Sequence, residues 1–184
     1  MKRGVDILIS LWALIILIPV MIIVFLWIKF ESKGSAIFVQ KRVGRNGSVF
    51  HMYKFRSMEA NAVTNGPHFT KVNDSRITNS GKFIRRTSLD ELPQLFNVLM
   101  GDMSLVGPRP NVPVQRDEYT EDEWTKRNTV HPGITGLAQA TLRSEATPEE
   151  RTRLDLEYVE QASFIFDIKI ILLTIKQLML KGSH

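Results

Sequence analysis

Two adjacent carboxylates, Asp90 and Glu91, carry the sharpest chemistry in this sequence. An ionised carboxylate can act as a nucleophile or as an oxygen ligand for a hard cation. Basic residues lie on both sides of the pair: Arg42, Lys54, Arg56, Arg85 and Arg86 before it, Arg109 after it. Each of these, taken alone, also reads as an ordinary solvated charge. Arg109 is the least ordinary, because Pro108 and Pro110 stiffen its backbone and the planar guanidinium suits bidentate contact with phosphate. Carboxylates among such cations fit phosphoryl transfer, which needs an ionised nucleophile, charge neutralisation and positioning more than elaborate covalent machinery.

The same pair has a structural reading. Ser88-Leu89-Asp90-Glu91 fits a capping box, and acidic residues are common in the first turn of any helix. Pro93 shifts the expected register. With Asp90 as the cap, Pro93 becomes the third helical residue, where no N–H is needed, so Asp90 is expected at the positive end of a helix dipole that favours its ionised form. Cap and catalyst both remain open at this level. His131, before Pro132, reads as structural ahead of a base.

The elements that must position these residues can be read around them. Ala36 to Met58 reads as a β-hairpin, with strand-formers on either side of Gly44-Arg45-Asn46-Gly47, and period-two geometry puts Lys54 and Arg56 on one face. Ala60 to Ser80 is rich in Asn, Thr, Ser and Gly and reads as a loop. A helix is expected to run to about Met100, with Leu92, Leu95, Phe96 and Leu99 on one face and Gly101 as its stop. Thr120-Glu121-Asp122-Glu123 and Thr147-Pro148-Glu149-Glu150 both look like capped helix starts, and His131 to Gly136 reads as turn. A last apolar helix over about Ile165 to Lys181, interrupted by Lys169, Lys176 and Lys181, suits either a core or a membrane interface.

Composition sets the setting. The chain has 184 residues, a net charge of +5 and no cysteine, which excludes disulfides and thiolate metal sites and favours partners that carry phosphate. From Ile7 to Ile28 no residue is charged. Such a run of about 22 residues is roughly 33 Å long as a helix and matches the hydrocarbon core of a bilayer. Pro19 should bend it. Basic residues flank both ends, so a kinked spanning helix and one that enters and leaves on the same side are both possible. In either case the basic C-terminal part belongs in the cytoplasm.

The motifs come in an order that resembles one family. Tyr53-Lys54-Phe55-Arg56-Ser57-Met58, the unbroken run from Leu89 to Leu99, Gly101-Asp102-Met103-Ser104-Leu105-Val106-Gly107-Pro108-Arg109-Pro110, and Pro132-Gly133-Ile134-Thr135-Gly136 follow the apolar N-terminus. The chain resembles, over nearly its whole length, the monotopic phosphoglycosyl transferases of the bacterial sugar transferase type. The resemblance implies an α+β protein: a membrane-embedded helix over 1–30, broken near Pro19 and re-entrant or else kinked and spanning, then a cytoplasmic catalytic domain over 31–184, a small mixed helical domain with a β-hairpin and amphipathic interface helices, the C-terminal one included. It looks like the minimal catalytic core, without the large N-terminal membrane region of longer relatives. Such enzymes usually carry Ser-Pro at the helix break, whereas this chain has Ile18-Pro19.

The implied reaction moves a sugar 1-phosphate from a UDP-sugar to a polyprenol phosphate at the bacterial inner membrane. Asp90 would be the nucleophile, forming a phosphosugar-aspartate and releasing UMP, with Glu91 completing the acidic dyad. A magnesium ion, with Asp90 as ligand, would neutralise the diphosphate, and Lys54, Arg85 and Arg109 match family residues around the phosphates. Nucleic acid is not expected as a partner. The rivals are a membrane-anchored hydrolase of nucleotide sugars and a basic scaffold for anionic lipid or nucleic acid.

Overall fold

The computed structural model describes residues 2–59, 74–142 and 147–181, so the greater part of the loop expected between Ala60 and Ser80 lies outside the described residues. The chain opens with helix α1, Lys2–Glu31, which keeps Pro19 inside it. At 1.5 Å per residue these 30 residues extend about 45 Å. One narrow face is buried, through Asp6, Ser10, Leu14, Val24 and Ile28, while Trp12, Ile16 and Ile23 are each more than 60% exposed. By length and composition it is the one described helix able to cross a membrane.

Both ends of α1 are fastened to the rest of the molecule. At its start, the Lys2 ammonium donates to the Asp167 carboxylate and to the Val106 carbonyl (3.1 Å), and Arg3 donates to the carbonyls of Leu99 (3.2 Å) and Met103 (3.3 Å). The buried Asp6 carboxylate accepts from the Ser104 hydroxyl at 2.8 Å. At its end, Glu31 accepts from the backbone amides of Asn79 (2.9 Å) and Ser80 (3.0 Å). Arg56 donates to the carbonyls of Ser32 (3.0 Å) and Lys33 (2.8 Å), groups that the end of α1 leaves without helical partners.

Strands β1 (Ile37–Val43) and β2 (Val49–Phe55) pair antiparallel, with Val43 opposite Val49 and Asn46 in a left-handed conformation (φ 55°) at the turn. Helix α2 (Asn79–Arg86) follows, capped by the Thr78 hydroxyl. A 3-10 turn, Leu89–Glu91, leads to α3, Gln94–Met100, which Gly101 ends in the left-handed region (φ 100°). Strand β3 (Ser104–Val106) pairs in parallel with β4 (Gly133–Thr135). Between them a 3-10 segment, Pro113–Glu118, precedes α4, Glu121–Arg127. Helices α5 (Leu137–Thr141), α6 (Pro148–Gln161) and α7 (Phe164–Lys181) complete the chain, and the reciprocal capping boxes at Thr120 and Thr147 are both formed.

Two expectations change. The segment expected as turn holds β4, because Gly107, Gly133 and Gly136 let two backbones touch. A Cβ on Gly133 would fall 2.1 Å from the Gly107 amide nitrogen, and one on Gly136 2.2 Å from the Gly107 carbonyl oxygen. Asp90 does not cap the following helix. Ser88 takes a left-handed conformation (φ 57°) without a side-chain cap bond, the 3-10 turn closes on itself, and α3 starts only after Pro93.

Three apolar clusters hold these elements together. Val24 and Ile28 of α1 pack with Phe55 and Ile84, with Leu89 and Leu92 against them. Phe50 and Met52 of β2 meet Val98 and Met103. Leu154, Tyr158 and Ile170 of the last two helices enclose Val106 and Leu137.

Candidate active site

The 3-10 turn presents its two carboxylates beside β2. Its backbone winds through i→i−3 bonds, from the Glu91 amide to the Ser88 carbonyl and from the Leu92 amide to the Leu89 carbonyl, each 3.2 Å. The buried Asn97 side chain of α3 locks the next turn onto β2. It accepts from the Tyr53 amide (3.0 Å) and donates to the His51 carbonyl (2.8 Å). Residue 54 is thereby brought to the acidic pair.

Lys54 donates to Glu91 Oε1 at 2.7 Å, and Arg109 donates to the same oxygen at 3.0 Å. Burial would raise the Glu91 carboxyl, but the neighbouring Lys54 and Arg109 outweigh it and hold the group down at about 2. Asp90 moves the other way. Burial and then the adjacent Glu91 charge push it up to about 6, against the pull of Lys54, Arg85 and Arg109. The helix dipole expected to favour its ionised form is not in place, since α3 begins beyond Pro93. Two neighbouring carboxyls thus have separated proton affinities, a pattern typical of sites that divide roles between acids. Lys54 is lowered, by burial first and Arg109 second.

The structure therefore joins Lys54, Glu91 and Arg109 by direct ion pairs, with Asp90 beside them and the Arg85 charge acting on it. Arg56, on the same face of its segment as Lys54, is used instead on the end of α1. His131 stands among Arg45, Arg3, Asp6 and Lys2, away from the pair. Pro19 belongs to α1 and not to the site. Asn97 and Arg127 are the positions that the residue types alone did not single out, while Arg42, named among the basic residues, reaches the loop that carries Arg109.

No group of three or more metal-ligating side chains occurs among the described residues. The donor set nonetheless suits magnesium. This ion commonly takes one or two carboxylates and fills its octahedron with water and substrate phosphate oxygens. Glu91 is occupied by two cations, whereas no described residue donates a hydrogen bond to the Asp90 carboxylate.

A bacterial sugar transferase profile matches residues 1–181. The chain belongs to that family. Among similar bacterial sugar transferases, undecaprenyl-phosphate glucose phosphotransferase of Komagataeibacter xylinus is 44% identical over 96% of this chain and 35% of its own length. UDP-glucose:undecaprenyl-phosphate glucose-1-phosphate transferase of Escherichia coli K12 is 42% identical over 95% of this chain and 39% of its own length. The exopolysaccharide production protein PSS of Rhizobium leguminosarum bv. phaseoli is 41% identical over 99% of this chain and 96% of its own length. The chain thus spans about two-fifths or less of the first two relatives and nearly all of the third.

Proposed function

We propose that this bacterial sugar transferase moves a sugar 1-phosphate from a UDP-sugar to a polyprenol phosphate through a covalent intermediate on Asp90. The observation that carries the reading is the division of labour in the acidic pair: two cations hold Glu91 ionised, and Asp90, to which no described residue donates a hydrogen bond, has a raised proton affinity. A carboxyl at about 6 is ionised in about nine molecules of ten at pH 7 and is more basic than an ordinary aspartate.

In the first step an Asp90 carboxylate oxygen attacks the sugar-bearing phosphorus. The bond from that phosphorus to the bridging oxygen breaks, and UMP leaves. In the second step a phosphate oxygen of polyprenol phosphate attacks the same phosphorus, the bond to Asp90 breaks, and the free carboxylate returns with polyprenol diphosphate sugar as product. Lys54 and Arg109, fixed on Glu91, sit where they can neutralise the transferring phosphate, and the Arg85 charge adds to that field. Magnesium, held by Asp90 and the substrate, would supply charge neutralisation on the diphosphate and the leaving UMP.

The lipid acceptor requires a membrane, and α1 supports that setting. A single small domain grips both ends of its apolar stretch, through Lys2, Arg3 and Asp6 at one end and Glu31 at the other. That arrangement favours a helix whose ends share the cytoplasmic side. The outward row Ile165, Ile168, Leu172, Ile175 and Met179 on α7, all more than 40% exposed, suits the membrane interface. Cysteines introduced at Lys2 and Lys33 should label from the same side of sealed vesicles, and labelling from opposite sides would overturn the re-entrant arrangement.

The reaction is tested by UMP release from a panel of UDP-sugars with magnesium and undecaprenyl phosphate, comparing wild type with Asp90→Asn. Lipid-linked sugar diphosphate formed by wild type alone supports the reading. UMP release without a lipid product would make the protein a hydrolase, and equal release by both proteins would remove Asp90 from the nucleophile role.

A further inference from the structure

Arg109 sits in a loop whose backbone is held to an unusual degree. Four consecutive carbonyl groups each accept a hydrogen bond, from three other parts of the chain. Pro108 accepts from the Gly133 amide at 2.9 Å, and Asn111 from the Val43 amide at 2.9 Å. Between them, the Arg109 carbonyl accepts from Arg127 Nη2 at 2.5 Å and the Pro110 carbonyl from Arg42 Nη1 at 2.8 Å. Two guanidinium groups thus grip the loop at the residue that reaches Glu91 and at the next one.

Electrostatics alone would not choose this arrangement, since it brings two further cations close to a third. Arg127 is balanced by Asp155, which accepts from its Nε at 2.9 Å and forms an ion pair with its Nη2 at 2.8 Å, and both side chains are at most 2% exposed. Buried ion pairs of this kind can often be replaced by apolar residues without loss of stability, so stability is a weak reason for one to be present. Among the described residues no carboxylate forms an ion pair with Arg42. Its guanidinium is oriented by Gln40 (2.6 and 3.1 Å), and burial together with Arg109 lowers its affinity for the proton to about 10. The hairpin tip is tied to the same frame, with the Asn46 amide donating to the Asn128 carbonyl at 2.7 Å.

We propose that Arg127, backed by Asp155, and Arg42 are positioning residues for the phosphosugar transfer, acting by gripping the Arg109 and Pro110 carbonyls so that the Arg109 guanidinium is held in place. The inference rests on the reaction proposed above. Both residues act through Arg109, and a lysine at either position keeps the charge but loses the fork that reaches a carbonyl from a fixed side chain.

The test is a double-mutant cycle on kcat, counted per competent site from the UMP burst without lipid acceptor. Arg127→Lys and Arg42→Lys should each lower kcat by about 10- to 100-fold in the wild-type background. In an Arg109→Ala background the same changes should alter kcat by less than about twofold, since their target is already absent. Multiplicative losses in both backgrounds would overturn the proposal, as would a smaller burst with unchanged kcat per competent site, which is the mark of a merely structural role. Amide hydrogen exchange across 107–112 gives a readout independent of chemistry. It should accelerate in both lysine variants while α6 stays protected, and unchanged exchange would overturn the proposal. A wild-type protein that forms no lipid product would instead overturn the reaction, and exchange across 107–112 would then decide whether the grip exists.

Discussion

Asp90 and Arg109 are held by opposite means. The turn carrying Asp90 makes its own backbone bonds, each closing within three residues, and rests on Leu89 and Leu92 in an apolar cluster. The loop carrying Arg109 makes none of this kind and depends on Gly133, Arg127, Arg42 and Val43, drawn from β4, the end of α4 and β1. The nucleophile candidate is therefore insulated from distant substitutions, while its cationic neighbour is exposed to them. A site assembled in this way can change its electrostatic field through remote positions without moving the backbone turn that carries the proposed nucleophile.

The strongest way to sharpen this contrast is to remove Asp90 itself. Asp90→Asn should lower UMP release by at least about 1,000-fold, measured at saturating UDP-sugar. It should also stabilise the fold. A carboxyl raised from 3.8 to about 6 loses stability as pH climbs through that window, and the half-buried position leaves about 1–2 kcal/mol to be recovered at pH 7. Urea denaturation at pH 7 and at pH 4 checks the sign, because the gain should shrink at the lower pH. Loss of activity with no gain in stability would break the account of Asp90 as a strained carboxylate.

Glu91→Gln probes the link between the two regions. It removes the partner of both Lys54 and Arg109, and should cost about 2–3 kcal/mol at pH 7 by urea denaturation. The Glu91 carboxyl is lowered from 4.5 to about 2, so its contribution is present above pH 4.5 and disappears as pH falls towards 2. The variant and wild type should converge there. In wild type, kcat/KM should rise about tenfold per pH unit below about 6, where Asp90 ionises, and level off above it.

The smallest effect is expected at Ser88. A non-glycine residue at φ 57° carries a modest backbone cost. Ser88→Gly should change stability by less than about 1 kcal/mol and leave kcat within about twofold, since the turn is closed by its own backbone. A large loss of activity would show that the Ser88 side chain does more than shape the turn.

What could be read from the residues was what is local. The caps at Thr120 and Thr147 form because a hydroxyl and a glutamate three residues on satisfy nearby amides. The acidic pair lies in a helical first turn as its composition suggests, but in a 3-10 turn ahead of α3 and not at the start of α3, because a left-handed Ser88 followed by a 3-10 turn leaves no mark in residue types. Lys54 and Arg56 look equivalent in sequence, yet one meets Glu91 and the other the end of α1, a choice made by packing across 23 to 37 positions. Strand β4 hides in a glycine-rich stretch because its glycines serve close approach to Gly107. Arg42 and Arg127 resemble surface charges until the loop they hold is in view.

The two fastenings of α1 give that helix a counted length. Each residue between Asp6 and Glu31 adds about 1.5 Å and about 100° of rotation, so the segment works as a ruler with both ends bolted down. Exchanging one outward apolar side chain for another leaves the count unchanged. Inserting a single residue anywhere in the run turns one end out of phase with the other, and either Glu31 or the Lys2–Asp6 cluster must let go.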